Sequence, residues 1–287
     1  MSSASGFGMT LLLVLYLAWL PRLMADTAPL VMGVFPRKGF VHTLENFTPL
    51  AEYLSTELGR KVILQSARNF DSFWQGVEQR RYDLVHFNQY HYLRAKKDFG
   101  YEVIAKNEEN HRSTMSGALF IRQDSGVKTL SDLRGKKIIF GGGRDAMQSY
   151  ITPSYLLQQA GLNKDAYVTT FAESPMNALF ATYFQQALAA GSADVNLELP
   201  MVKSRIDTAQ FKILAKSEPL AHLPWAVKHE LDATLKARLK ILLIHLNESS
   251  QGRNVLQRAS LTAIVSTEDS DYDPHRRIIK QVLGEDY

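Results

Sequence analysis

The chain predicts an α/β fold. Short β-branched runs alternate with helix-period segments along nearly its whole length. One such run, Ile138–Phe140, opens into three consecutive glycines and then a helical pattern. About 260 residues remain after an apolar leader, enough for one large or two medium domains.

The first block reads in order. Leu30–Phe35 is a strand, and Arg37, Lys38 and Gly39 form its C-terminal loop. Leu44, Phe47, Ala51, Leu54 and Leu58 recur at helical spacing and Gly59 stops them. Lys61–Gln65 is a second strand, followed by a helix carrying Phe73, Trp74 and Val77 with Asp71 or Ser72 at its cap. Asp83–Phe87 is a third strand, Asn88–Lys97 a helix and Tyr101–Ala105 an extended segment. Strands joined by helices imply mainly parallel sheets, with ligands beyond the carboxyl ends of the strands.

A second α/β block follows. Gly117–Arg122 is a strand; Thr129 with Asp132 three residues on starts a short helix that Gly135 stops. Lys137–Phe140 is the strand before Gly141, Gly142 and Gly143, and Leu156, Leu157 and Ala160 mark the helix after them. Strand, glycine turn and helix can aim backbone N–H groups at an anion, and glycine lets a ligand approach the backbone closely. An ordinary tight turn uses glycine too. Tyr167–Phe171 is a strand, Glu173-Ser174-Pro175 starts a helix, Val195–Leu199 and Phe211–Ala215 are extended, and His229–Leu246 is helical. No repeat, low-complexity tract or Pro- or Ser-rich linker interrupts the chain.

Met9–Leu20 is almost wholly apolar and too short for a comfortable membrane span, which suits the h-region of an export signal. Ala25 offers a cleavage site before Asp26, although no Lys or Arg precedes the apolar run. An uncleaved anchor is the alternative. The absence of cysteine rules out disulfides, thiolate metal sites and a cysteine nucleophile. Without Arg22 the chain carries 32 basic and 29 acidic residues, mixed along its length. No basic face for nucleic acid emerges, though a mildly positive cleft would favour an anionic solute.

Four stretches carry a family resemblance: Asp83–Ala95 (DLVHFNQYHYLRA), Tyr101–Ala105 (YEVIA), Ile121–Gly143 (IRQDSGVKTLSDLRGKKIIFGGG) and Tyr150–Leu162. Together they resemble the phosphate/phosphite/phosphonate-binding proteins of ABC importers. The resemblance implies a type 2 periplasmic-binding-protein fold: two α/β lobes, two hinge crossings, and a solute held in the cleft between them. It places a signal peptide at 1–25, lobe one at 26–115 plus 216–287, and lobe two at 116–215, with crossings near Ser113–Gly117 and Ala209–Ser217. It further implies a periplasmic, monomeric solute-binding protein that takes a small oxyanion, serves an ABC permease in the inner membrane and needs no cofactor. A sensing partner of a membrane sensor kinase, or a binder of another solute or a metal, is the alternative.

The anion signature of that family departs here. Where phosphonate binders carry Ser-Thr-Ser-Gly, this chain has Arg144-Asp145-Ala146-Met147-Gln148-Ser149; where they carry Gly-His-Asp, it has Ser174-Pro175-Met176-Asn177. Tyr90 matches the family's ligand-facing tyrosine. The candidate ligand residues are therefore Arg37, Asn88, Tyr90, Gly141, Gly142, Gly143, Arg144, Ser149, Ser174 and Glu198. Arg37 and Arg144 can fork onto an oxyanion or stand as surface charges. Asp145 either caps a helix or repels an anion. Glu198 either meets a cationic group or bridges the lobes. His86 packs toward the core, His91 belongs on a helix surface, and Trp225 packs. The scattered His42, His86, His91 and His111 with Met147 lack metal spacing, and Ser149, His86 and Asp145 lack a nucleophile elbow, so neither a metal site nor an enzyme is expected.

Overall fold

The computed structural model describes Met1, residues 28–37 and residues 39–287. The expected leader lies outside the described residues. Among those described, no helix is long and apolar enough to cross a membrane.

The first block holds β1 (Leu30–Val34), α1 (Phe40–Leu58), β2 (Val62–Gln65), α2 (Phe70–Glu78), β3 (Leu84–His86), α3 (Gln89–Phe99) and β4 (Glu102–Glu108). The next runs through β5 (Thr114–Met115), β6 (Gly117–Arg122), β7 (Lys137–Gly141), α4 (Thr152–Gln159), β8 (Val168–Ala172), α5 (Pro175–Tyr183), β9 (Ala189–Ala193), α6 (Pro200–Lys203) and β10 (Phe211–Lys216). The chain then returns through β11 (Leu220–Ala221), β12 (Pro224–Val227), α7 (Ala233–Ile244), α8 (Ser250–Ala259), β13 (Ala263–Val265) and α9 (Asp273–Leu283).

These elements build two lobes. One sheet has the order β13-β4-β12-β3-β1-β2 and the other β10-β6-β9-β7-β8. Both are mixed rather than mainly parallel. β1 runs parallel to β2 and β3, and β7 runs parallel to β8 and β9, as helix crossovers require. The other strands pair antiparallel, among them β12 with β3 and β4 and β6 with β9. Between the lobes β5 pairs antiparallel with β11, so the outgoing and returning crossings support each other.

Local chemistry explains the elements. Phe47, Leu50, Ala51, Leu54 and Leu58 bury one stripe of α1, and Gly59 ends it in the left-handed conformation at φ 62°. α2 starts earlier than expected because the Asn69 side chain accepts from Ser72 N–H and serves as the cap. The expected strand at Val195–Leu199 is instead a 3₁₀ turn, Asp194–Glu198, and the strand precedes it at β9. β9 reads Ala-Ala-Gly-Ser-Ala and is wholly buried. A Cβ on Gly191 would stand 2.3 Å from the Ser149 carbonyl oxygen and 2.4 Å from the Phe140 ring. Close packing there demands small residues, whose weak strand propensity hides the strand.

Trp225 on β12 is fully buried, stacks on His86 at 4.6 Å and donates from Nε1 to Asn107 Oδ1 at 2.8 Å. One core lies under α1, α7 and α8, a second under α5 and α6, and a third runs through both lobes. The C-terminal helix α9 packs on α3 of one lobe and α4 of the other.

Candidate functional site

The lobes meet around a small cavity of about 30 Å³, lined by Arg37, Phe70 and Asn88 from the first and Met147, Gln148 and Ser149 from the second. That is room for one or two waters, so a larger solute enters only as the lobes part. Phe70 also lines an adjoining interlobe cavity of about 170 Å³, bounded by His42 and Arg68 on one side and Ser174 and Arg205 on the other.

Arg37 sits just past β1, and its guanidinium is already engaged. Nη1 donates to Glu109 Oε1 at 2.5 Å and Nη2 to Oε2 at 3.2 Å, a bidentate fork between side chains buried on both sides. Nη2 also donates to Asn196 Oδ1 at 2.8 Å, reaching into the second lobe. Behind Glu109, Nε2 of the buried His222 lies 3.8 Å from Oε2. Burial pulls the His222 imidazole down to about 4 against the opposing pull of the Glu109 carboxylate.

Asn88 caps α3 by accepting from His91 N–H at 2.7 Å. Its amide donates to the Asp145 carbonyl at 3.3 Å and faces His91 Nδ1 at 3.2 Å. His91 is buried, not on a helix surface, and stacks on Trp74 at 5.3 Å. Its Nε2 stands 2.6 Å from Asp145 Oδ2. An imidazole protonated on Nε2 satisfies both contacts, accepting from Asn88 and donating to Asp145. Asp145 therefore pairs across the cleft; it neither caps a helix nor meets His86.

The glycine loop is at the crevice, but its glycines are not what it offers there. Gly142 N–H donates to Ala172 O at 2.9 Å, and a Cβ on Gly141 would stand 2.2 Å from Pro175 Cα. Gly142 (φ 85°) and Gly143 (φ 93°) use conformations that L-residues avoid. None of the three lines the small cavity; Ala146–Ser149 do. Residues Met147–Ile151 form a π-helical turn rather than the first turn of an α-helix. Such turns are frequent at functional sites.

Other expected ligand residues lie elsewhere. The Tyr90 hydroxyl donates to Glu285 Oε2 at 2.8 Å and accepts from the Tyr287 hydroxyl at 3.3 Å, so the C-terminal tail holds it. Burial raises that phenol to about 12. Arg144 is exposed and outside the cavity lining. Ser174 caps α5 by accepting from Asn177 N–H at 3.2 Å and borders only the outer cavity. Glu198 accepts from Arg112 Nη2 at 3.0 Å and from Asn110 Nδ2 at 2.9 Å, bridging the lobes. Arg112 Nη1 lies 3.5 Å from Asp194 Oδ2, whose Oδ1 accepts from Ser116 N–H at 2.9 Å. Of ten expected residues, Arg37, Asn88 and Ser149 line the small cavity.

Glu109, Gln148 and Asn196, at or beside the cavity, were not among the expected residues. Gln148 lies in the stretch after the glycines, Arg144–Ser149, which the sequence already marked for attention. Among the described residues no cluster of three or more His, Asp or Glu side chains could hold a metal ion.

Residues 32–272 match the family described as the periplasmic phosphonate substrate-binding protein of ABC transporters. The chain belongs to this family. Its members are substrate-binding transport components, not enzymes, and work at the periplasmic side of an ABC permease. Solved structures agree on the fold. PhnD1 of Prochlorococcus marinus, solved with methylphosphonate, superposes with TM-score 0.79 at 16% identity, covering 90% of this chain and 99% of that one. A binding-protein component of an ABC phosphonate transporter from Pseudomonas aeruginosa gives 0.77 at 16%, covering 90% and 87%. A Xanthomonas citri protein solved bound to ATP gives 0.75 at 16%, covering 89% and 97%. Within this phosphonate-binding family the present chain keeps the two-lobed α/β fold.

Proposed function

We propose that this chain captures a small oxyanion of the phosphonate class between its lobes and presents it to an ABC permease. The supporting observation is the interlobe cavity, lined by Arg37 and Asn88 from one lobe and by Ser149 from the other. Arg68 and Arg205 at the outer cavity attract an anion toward Phe70, which stands between the two spaces. Closure around the solute brings the lobes together about the paired crossings at β5 and β11. In this reading lobe one is 26–115 with 216–287, lobe two is 116–215, and residues 1–25 direct export. The protein acts as a monomer and binds no nucleic acid.

Thermal shift and calorimetry against methylphosphonate, phosphite and phosphate test this. One of them should raise the melting temperature with a stoichiometry of one per chain. No shift with any of the three would overturn the assignment of solute class.

A further inference from the structure

Gln148 is a polar side chain without an internal partner. It lines the small cavity and is only 6% exposed, and both its Nε2 and Oε1 are buried with no hydrogen bond. An orphaned amide costs free energy unless something supplies one acceptor and one donor. The charge pairs between and beside the lobes matter equally. Arg37, Arg112 and Lys216 face Glu109, Asp145, Asp194 and Glu198, while His91 and His222 abut two of these carboxylates. Arg37, the one charged side chain among the described residues lining this cavity, is already forked onto Glu109, so its charge is offset before a dianion arrives. Phe70, Met115, Met147 and Leu223 give the remaining lining an apolar character.

Resting on the oxyanion reading above, we infer that Gln148 makes the cleft selective for a protonated, singly charged oxyacid carrying a small apolar substituent. The retained O–H donates to Gln148 Oε1. An anionic oxygen accepts from Nε2, and the substituent lies on the apolar lining. A doubly charged alkylphosphonate has no hydrogen for Oε1 and brings its second charge toward an Arg37 already neutralised by Glu109. The same amide that is unpartnered in the closed cleft thus reads the protonation state of the solute.

The test is calorimetry of the whole chain with methylphosphonate and with methanesulfonate, below and above the second ionisation of methylphosphonate. Methanesulfonate carries one charge at both and no O–H, so it reports the protein's own pH response. Affinity for methylphosphonate relative to methanesulfonate should be at least about tenfold higher below that ionisation. Gln148→Met, which neither donates nor accepts, should remove most of this preference while melting no lower than wild type, since it deletes an unpaired amide. Equal or tighter relative binding of methylphosphonate above the ionisation overturns the selectivity and leaves the oxyanion reading standing. A preference that survives in Gln148→Met overturns the role of Gln148. Absence of binding by both compounds overturns the selectivity, and the oxyanion reading falls with it only if phosphite and phosphate fail to bind as well. The wild-type comparison decides the matter even if the variant fails to fold.

Discussion

His91 Nε2 lies 2.6 Å from Asp145 Oδ2, and the two residues belong to different lobes. The contact is a latch: one partner caps into the Asn88–His91 turn, and the other rides on the glycine loop. Arg112 with Asp194 and Glu198 makes a second latch. Removing the Asp145 charge leaves a buried imidazole with a weaker partner, which costs about 1–3 kcal/mol. Asp145→Asn should therefore melt at lower temperature and show a larger radius of gyration by small-angle scattering. An unchanged radius would mean that the contact follows closure and does not support it.

The glycine loop yields an ordered pair of outcomes. Adding a Cβ at Gly141 meets Pro175 backbone at 2.2 Å, and backbone cannot step aside as a side chain can. Adding one at Gly142 meets the Phe70 ring at 3.0 Å, across the cleft, from a residue at φ 85°. The left-handed conformation alone costs roughly 1–2 kcal/mol for alanine. Chemical denaturation should show Gly141→Ala losing more stability than Gly142→Ala. Gly142→Ala should weaken solute binding more than its stability loss explains, because it props Phe70 away from the loop.

Much of this fold was legible in the chain, and the failures have physical causes. α1 announced itself through a stripe that truly is buried, and the strands before the glycines through β-branched residues. β9 stayed hidden because it is built from Ala, Gly and Ser, chosen for the close approach of Phe140 and the Ser149 carbonyl. The candidate site was less legible. Arg37 and Asn88 line the cavity from their places after strands, but Glu109 and Asn196 reach Arg37 from 72 and 159 residues away. No local pattern encodes a partner at that distance. Tyr90 was expected at the ligand from a resemblance in sequence, which carries no sign that its hydroxyl pairs with Glu285 and Tyr287.

That capture makes a direct prediction. Tyr90→Phe keeps the ring, which packs edge-on to Tyr287 at 5.8 Å, and deletes only the hydroxyl. Solute affinity should stay within experimental error of wild type, while amide exchange at residues 284–287 quickens. The stability loss should be about 1 kcal/mol, that of one partly buried hydrogen bond. A tenfold or greater loss of affinity would return Tyr90 to the binding site.

Acid should destabilise the protein in two separate windows. His222 is held down to about 4 and His275 to about 3, in both cases chiefly by burial, against an ordinary value of 6.5. The unfolded chain takes up these protons first, so their contribution is intact above pH 6.5 and is lost as pH falls toward 4 and 3. Across that window the loss is on the order of a few kcal/mol. Asp269 and Asp271 behave oppositely in origin. Hydrogen bonds from Tyr92 and Arg276 hold Asp269 low against its burial, and the Thr267 hydroxyl holds Asp271 low. Their stabilisation is present above the ordinary carboxylate value of 3.8 and fades only below it. Denaturation midpoints should thus decline already between pH 6.5 and 4, and His275→Leu, which cannot titrate, should flatten that decline. A midpoint constant over the interval would show that the histidines accept protons without unfolding.

Glu109 offers the sharpest separation of stability from binding. Its carboxylate occupies the Arg37 guanidinium as a solute oxyanion would, and both side chains are buried. Replacing one partner of a buried pair leaves an uncompensated charge, worth about 3–5 kcal/mol. Glu109→Gln keeps one acceptor, so its loss should fall near the lower end, read as a reduced melting temperature. The freed guanidinium should then bind an anion more tightly, and added methylphosphonate should restore more of the lost melting temperature than it adds to wild type. A variant as stable as wild type and no tighter for methylphosphonate would show that the Glu109 fork is not what holds Arg37 from the solute.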